Sequence, residues 1–109
     1  MRPSASRPEA TRSSLGEPFA PTPTPGLTAL VLLADESRVV LLRFAPGTEL
    51  APHDHPRGEE FYVWRGSLSD EHGQYVAGSW VRQPPGSRHC VRSPSGCVLL
   101  TYSGHLVAL

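Results

Sequence analysis

No apolar run in this 109-residue sequence approaches the roughly 20 residues that a membrane-spanning helix needs. Arg2, Arg7 and Arg12 stand near the start, but no apolar h-region follows them. A secretory signal is therefore not indicated, and a cytoplasmic protein is expected. An excess of either charge is missing too: Lys+Arg and Asp+Glu each number 10, for a formal net charge of zero. Without a basic stripe or a polybasic segment, neither nucleic acid nor a membrane surface is an expected partner. Cysteine is scarce, at two residues. No convincing helical period and no internal repeat occur, and no nucleophile motif stands beside any histidine.

What is present is a series of short apolar runs separated by turns. The runs cover residues 27–33, 38–44, 61–64, 79–82, 90–92, 98–102 and 105–109, with turn signals at 35–37, 46–47, 70–73, 84–87 and 93–96. Many short strands at this spacing predict an all-β antiparallel barrel or sandwich, and the length suits one small domain. Residues 1–26 are rich in Pro, Ser, Arg and Thr. Such a segment buries too little apolar surface to offset its ordering entropy, so a flexible or extended arm is expected there, with the barrel at 27–109.

The chemistry lies in two blocks. Gly47, His53, His55, Glu59 and Gly66 form G-x5-H-x-H-x3-E-x6-G, and Gly78, Pro84, Gly86 and His89 form G-x5-P-x-G-x2-H. His53 and His55 are two apart, so on a strand both leave the same face. Pro56-Arg57-Gly58 then allows a reversal. Glu59 opens a run rich in β-branched and aromatic residues, with Glu59, Phe61 and Val63 on one face and Glu60, Tyr62 and Trp64 on the other. Two antiparallel strands can thus bring His53, His55 and Glu59 together, and the strand after Pro84-Pro85-Gly86-Ser87 supplies His89. Three imidazoles and one carboxylate suit a first-row divalent metal and leave room for water or substrate. The remaining histidines lack such support. His72 sits in a hairpin turn, and His105 has no acidic or sulfur partner near it in sequence.

These blocks resemble the paired motifs of the cupin superfamily. The stretches His53 to Phe61, Ser69 to Trp80 and Pro84 to His89, with Ser95-Gly96-Cys97 beyond, are most similar to the cupin domain of ChrR-type zinc-binding anti-sigma factors. The resemblance covers roughly residues 40 to 102. It implies a double-stranded β-helix, the cupin jelly-roll barrel, and a metal held by His53, His55, Glu59 and His89. Zinc is the implied cofactor, with iron, manganese or nickel as the other candidates. The implied function is binding or sensing a small-molecule ligand or oxidant, and the alternative is a metal-dependent dioxygenase acting on a small organic substrate. A third role is a metal that only stabilises the barrel. Ser93 stands where the second cupin motif usually has asparagine. Residues 1–26 contain no histidine or cysteine, unlike the helical zinc-binding domain that precedes the anti-sigma cupin. The expectation is therefore not an anti-sigma factor in its own right.

Other residues are assigned by parity. Leu42, Phe44, Phe61, Val63 and Val91 are expected to fill the barrel. Tyr62 and Trp64 should point away from the metal, either into a homodimer seam or under the N-terminal arm. Arg82, Arg88 and Arg92 read as solvated surface, with an anionic ligand as the alternative. A hairpin centred on 93–96 could place Cys90 opposite Cys97. Reduced, partly buried thiols are expected, a cross-strand disulfide being the alternative.

Overall fold

The computed structural model describes residues 18–105. Among them are nine strands and no helix: β1 (Ala20–Pro21), β2 (Leu27–Ala34), β3 (Arg38–Phe44), β4 (Thr48–His55), β5 (Glu59–Asp70), β6 (Gly73–Val76), β7 (Trp80–Gln83), β8 (Ser87–Ser93) and β9 (Cys97–Ser103). All pairings are antiparallel, in the order β1-β2-β3-β9-β5-β8-β4, with β6 and β7 also paired to β5. The sheet curls on itself into a cupin-type jelly roll, a single small domain. The expected strands at 27–33, 38–44, 79–82 and 98–102 match β2, β3, β7 and β9 within a residue or two. The expected strand at 105–109 falls largely outside the described residues, and His105 itself is not in a strand. Residues 1–17 of the expected arm also lie outside them. Further along that arm, Ala20 and Pro21 pair with Ala29 and Thr28 of β2, and Phe19 lies under the Arg43 guanidinium, 4.0 Å from ring centroid to Cζ.

The long strand β5 closes the barrel. Its first half pairs with β7 and β9 and its second with β6 and β8, so one strand belongs to both halves of the curled sheet. The change of direction falls at a bulge between Val63 and Arg65, followed by Gly66 at φ +74°. A Cβ on Gly66 would lie 2.0 Å from the Gly96 carbonyl oxygen. Only glycine lets β5 pass this close to the turn between β8 and β9.

Alternation along the strands builds the interior. Leu27, Phe44, Phe61, Val63, Leu68, Val91, Cys97 and Leu99 form the buried cluster, with Leu42, Leu50, Tyr75 and Val81 packed against it. Burial of each large apolar side chain contributes about 1.5–3 kcal/mol. The opposite face of the β2-β3-β9-β5-β7 half carries one apolar row among polar neighbours. Register places Leu30, Leu41, Leu100, Tyr62 and Trp80 in one row across five strands. Leu30 and Leu41 are only 4% and 6% exposed, whereas Trp80 at the far end is 56% exposed.

The cysteine pairing fails on topology. Both thiols are free, and β5 runs between β8 and β9, so the segment 93–96 joins two halves of the barrel instead of closing a hairpin. Cys97 enters the core, and Cys90 Sγ donates to the Leu50 carbonyl at 3.4 Å.

Candidate metal centre

Strand pairing does most of the assembly. On β4 and β8, His53 stands directly opposite His89, and His55 opposite Ser87. A register shift between Leu50 and His53 sets the two histidines against β8. The Gly58 and Gly86 amides both donate to the His55 carbonyl, at 3.0 and 2.8 Å. One backbone oxygen therefore ties down the turn that leads to Glu59 and the turn that leads to His89.

The three imidazoles converge through one nitrogen each. His89 Nε2 lies 2.8 Å from His53 Nε2 and 2.8 Å from His55 Nε2. The Ala51 carbonyl, 2.8 Å from His53 Nδ1, can only accept. It therefore holds the proton on Nδ1 and leaves the Nε2 lone pair facing the cluster. His89 Nδ1 is buried without a partner. Burial, reinforced by His53 and His55, lowers the His89 pKa to about 4, and burial followed by His53 lowers that of His55. Extra protons are thus a poor way to hold these lone pairs together.

Glu59 approaches from the other half of the barrel. Its Oε1 is 3.7 Å from His55 Nε2, and burial raises its pKa to about 7. The strand arrangement differs from the expected one: β4 pairs with β8 and not with β5. Glu59 reaches His55 because Pro56-Arg57-Gly58 turns the chain across the barrel mouth. His53, His55 and His89 form a compact set of donor atoms within 4.8 Å of one another, with Glu59 at its side.

His89 is spaced from each of the other two histidines as two ligands of one metal ion would be. Two imidazole nitrogens each about 2.1 Å from a metal would be separated by about 3.0 Å at right angles and about 3.4 Å at the tetrahedral angle. The 2.8 Å separations are close to the first. Converging imidazole nitrogens, burial that disfavours the charged forms of His55 and His89, and a buried carboxylate are all features that a cation would satisfy.

Two spaces meet at the cluster. Inside the barrel, a cavity of about 40 Å³ is walled by His53, Glu59 and His89 on one side and by Leu42, Phe44, Leu50, Phe61, Leu68, Val91 and Leu99 elsewhere. Outside, a groove of about 470 Å³ runs past His55, between Asp35, Glu36, Arg38 and Pro56-Arg57-Gly58 on one side and Ser103-Gly104 on the other. A third groove, about 290 Å³, lies on the outer sheet face beside Phe19, Arg43 and Trp64, away from the histidines.

The other histidines have different roles. His72 is exposed at the β5–β6 tip, where its amide donates to Asp70 Oδ1 at 2.8 Å. His105 stacks on Tyr102, with centroids 3.6 Å apart and planes 2° apart, and its Nε2 lies 3.5 Å from Glu60 Oε1. Tyr62 and Trp64 are exposed on the outer face, as their parity requires. Arg82 lies 3.5 Å from Glu60, and Arg88 2.8 Å from Asp54. Sequence reasoning missed the lock beneath the β5–β6 tip, where Tyr75 donates its hydroxyl to buried Asp70. The Asp70 to Gly73 turn signal was visible, but the partner two residues beyond it was not.

Comparison with known proteins agrees with this architecture. The sequence profile of the ChrR cupin-like domain family matches residues 10–107. No curated protein matches the chain. Among solved structures, an RmlC-like cupin from Shewanella frigidimarina is 22% identical, with TM-score 0.75, covering 88% of this chain and 90% of that one. The complex of Rhodobacter sphaeroides SigE with the anti-sigma ChrR gives 21% identity and TM-score 0.73 over 84% of this chain, which spans only 51% of that one. An acetylacetone dioxygenase from Acinetobacter johnsonii gives 16% identity and TM-score 0.76, covering 94% of this chain and 77% of that one. At these identities the likeness concerns the fold.

Proposed function

Since the chain belongs to the ChrR cupin-like domain family, we propose that it is a metal-binding cupin domain that binds or senses a small molecule or oxidant through His53, His55, Glu59 and His89. The observation that carries this reading is the convergence of three imidazole Nε2 atoms, with His89 Nε2 2.8 Å from each of the other two, beside the buried Glu59 carboxylate. His53, His55 and His89 would hold the ion, and Glu59 would neutralise part of its charge. Zinc is the first choice, followed by iron, manganese or nickel. A bound ion would supply Lewis acidity or, for iron and manganese, redox chemistry. The protein's own contribution is to fix the His53 tautomer, to pin His55 through two backbone amides, and to keep the inner side of the site dry. Elemental analysis of protein purified without chelators tests this directly. About one metal ion per chain is expected, and a metal-free wild type that takes up none from solution would end the reading.

The second reading is a metal-dependent dioxygenase. It is favoured by the groove beside His55, whose 470 Å³ lies in the range that organic ligands occupy. Oxygen consumption by iron-loaded protein with a panel of diketones, phenols and thiols separates enzyme from sensor. Steady turnover selects the enzyme.

The proposed assembly is a homodimer in the cytoplasm. Tyr62, Trp64 and Trp80, exposed together on the outer face of β5 and β7, support it, because exposed aromatics are what interfaces use. A monomeric mass by light scattering would exclude it. The sigma factor in the ChrR complex is a partner of that protein.

A further inference from the structure

The spaces on the two sides of the histidine cluster differ about twelvefold in size and also in character. The inner one is apolar on every wall except the one formed by His53, Glu59 and His89. The outer one is edged by charged residues, among them Asp35, Glu36, Arg38 and Arg57. An apolar cavity of about 150 Å³ admits benzene, whereas about 10–15 Å³ is enough for one water. At about 40 Å³, the inner space lies between these limits. It holds a diatomic molecule and excludes an aromatic ring.

Water is a poor occupant here, since a buried water needs about 2–4 polar partners. The seven apolar side chains provide none, and His53, Glu59 and His89, once engaged by a metal, have few lone pairs to spare. An uncharged apolar molecule loses nothing against the same walls.

We propose that the inner cavity is a binding site for one small uncharged molecule the size of dioxygen, and that anything larger meets the centre only from the His55 groove. The proposal names the ligand class for the metal-site reading and rests on it both for its purpose and for the dryness of the donor wall. It divides the ligands of the site by size: diatomic molecules on the inner side, organic molecules on the outer.

The test is methyl NMR of the full chain under several bar of dioxygen against nitrogen, with metal content measured on the same sample. Dissolved dioxygen should speed relaxation of the buried Leu68, Val91 and Leu99 methyls several-fold more than those of Leu27 and Leu30. The latter two are buried but do not line the cavity. Leu50→Phe, or the milder Val91→Ile, should abolish the enhancement while methyl dispersion and metal content stay as in wild type. Benzene at millimolar concentration should leave the cavity methyls unshifted. Equal relaxation of all buried methyls, saturable shifts with benzene, or a long-lived water at these methyls without a dioxygen effect would each overturn the proposal. A wild type that takes up no metal from solution yet keeps the dioxygen effect would sink the metal reading and leave the cavity standing.

Discussion

Glu59 and Glu60 are adjacent in sequence and opposite in circumstance. The Glu60 carboxylate, on the outer face, accepts from Trp80 Nε1 at 2.9 Å, with Arg82 Nε and His105 Nε2 each at 3.5 Å. The Glu59 carboxylate, on the inner face, has His55 at 3.7 Å and burial that pushes its pKa up to about 7. Glu60 is fully provided for by its own fold. Glu59 is left short by one cation, and that deficit marks the site more sharply than its burial does. A charge that is already matched is structural, whereas an unmatched one in a converging donor set calls for a ligand.

The largest effect should come from interchanging their fates. Glu59→Ala or His89→Ala should weaken metal binding by more than about 100-fold, since loss of a supporting residue alone typically costs 10–100-fold. Glu60→Gln should bind as wild type. Competition with a chromogenic chelator measures all three, and equal losses at Glu59 and Glu60 would erase the distinction.

Next is stability. A metal present at 100 times its dissociation constant stabilises by about 2.7 kcal/mol, so chelation should lower the wild-type Tm by roughly 10–20 °C. Glu59→Ala, already unable to retain the ion, should respond to chelator by only a few degrees. Calorimetry with and without chelator decides.

The pH dependence of the metal-free protein has a definite sign. A raised carboxyl pKa means that the folded state favours the acid form. The Glu59 penalty is therefore absent below about pH 4.5, grows to about pH 7 and is complete above it. His89, depressed from 6.5 to about 4, acts oppositely: its stability is present above pH 6.5 and is lost as pH falls towards 4. At pH 8 Glu59 contributes in full and His89 does not, so metal-free Glu59→Gln should be more stable than metal-free wild type by about 1–3 kcal/mol. With metal present the order should reverse. Urea melts at pH 8 in both conditions show whether the curves cross.

The smallest effect belongs to the outer carboxylate. Trp80→Phe removes one donor from Glu60 and should cost about 0.5–1.5 kcal/mol with no change in metal content. A measurable loss of metal would mean that the two faces of β5 communicate.

Much of this could be read from residue order, and what could not has a common cause. Parity put His53 and His55 on one face, Phe61 and Val63 inside, and Tyr62 outside, because a period of two needs no knowledge of neighbours. Which strands lie side by side is a different kind of fact. Nothing near Cys90 or Cys97 announces that β5 passes between them, and nothing near Glu59 announces that it arrives from the opposite half of the barrel. Gly66 was visible as a motif glycine. Its reason, the Gly96 carbonyl against it, is a contact 30 residues away along the chain. The Trp80–Glu60 bond was likewise hidden, since it depends on the register of β7 against β5.

The His55 carbonyl, shared by the Gly58 and Gly86 amides, limits how this barrel can diversify. An added or deleted residue in either turn would release one amide and slide a donor-bearing strand along its neighbour. Both turns are therefore fixed in length by the same atom. Grafted segments and natural insertions will be accepted elsewhere, at the exposed bend of residues 35–36, where lengthening the chain displaces none of the four donor residues.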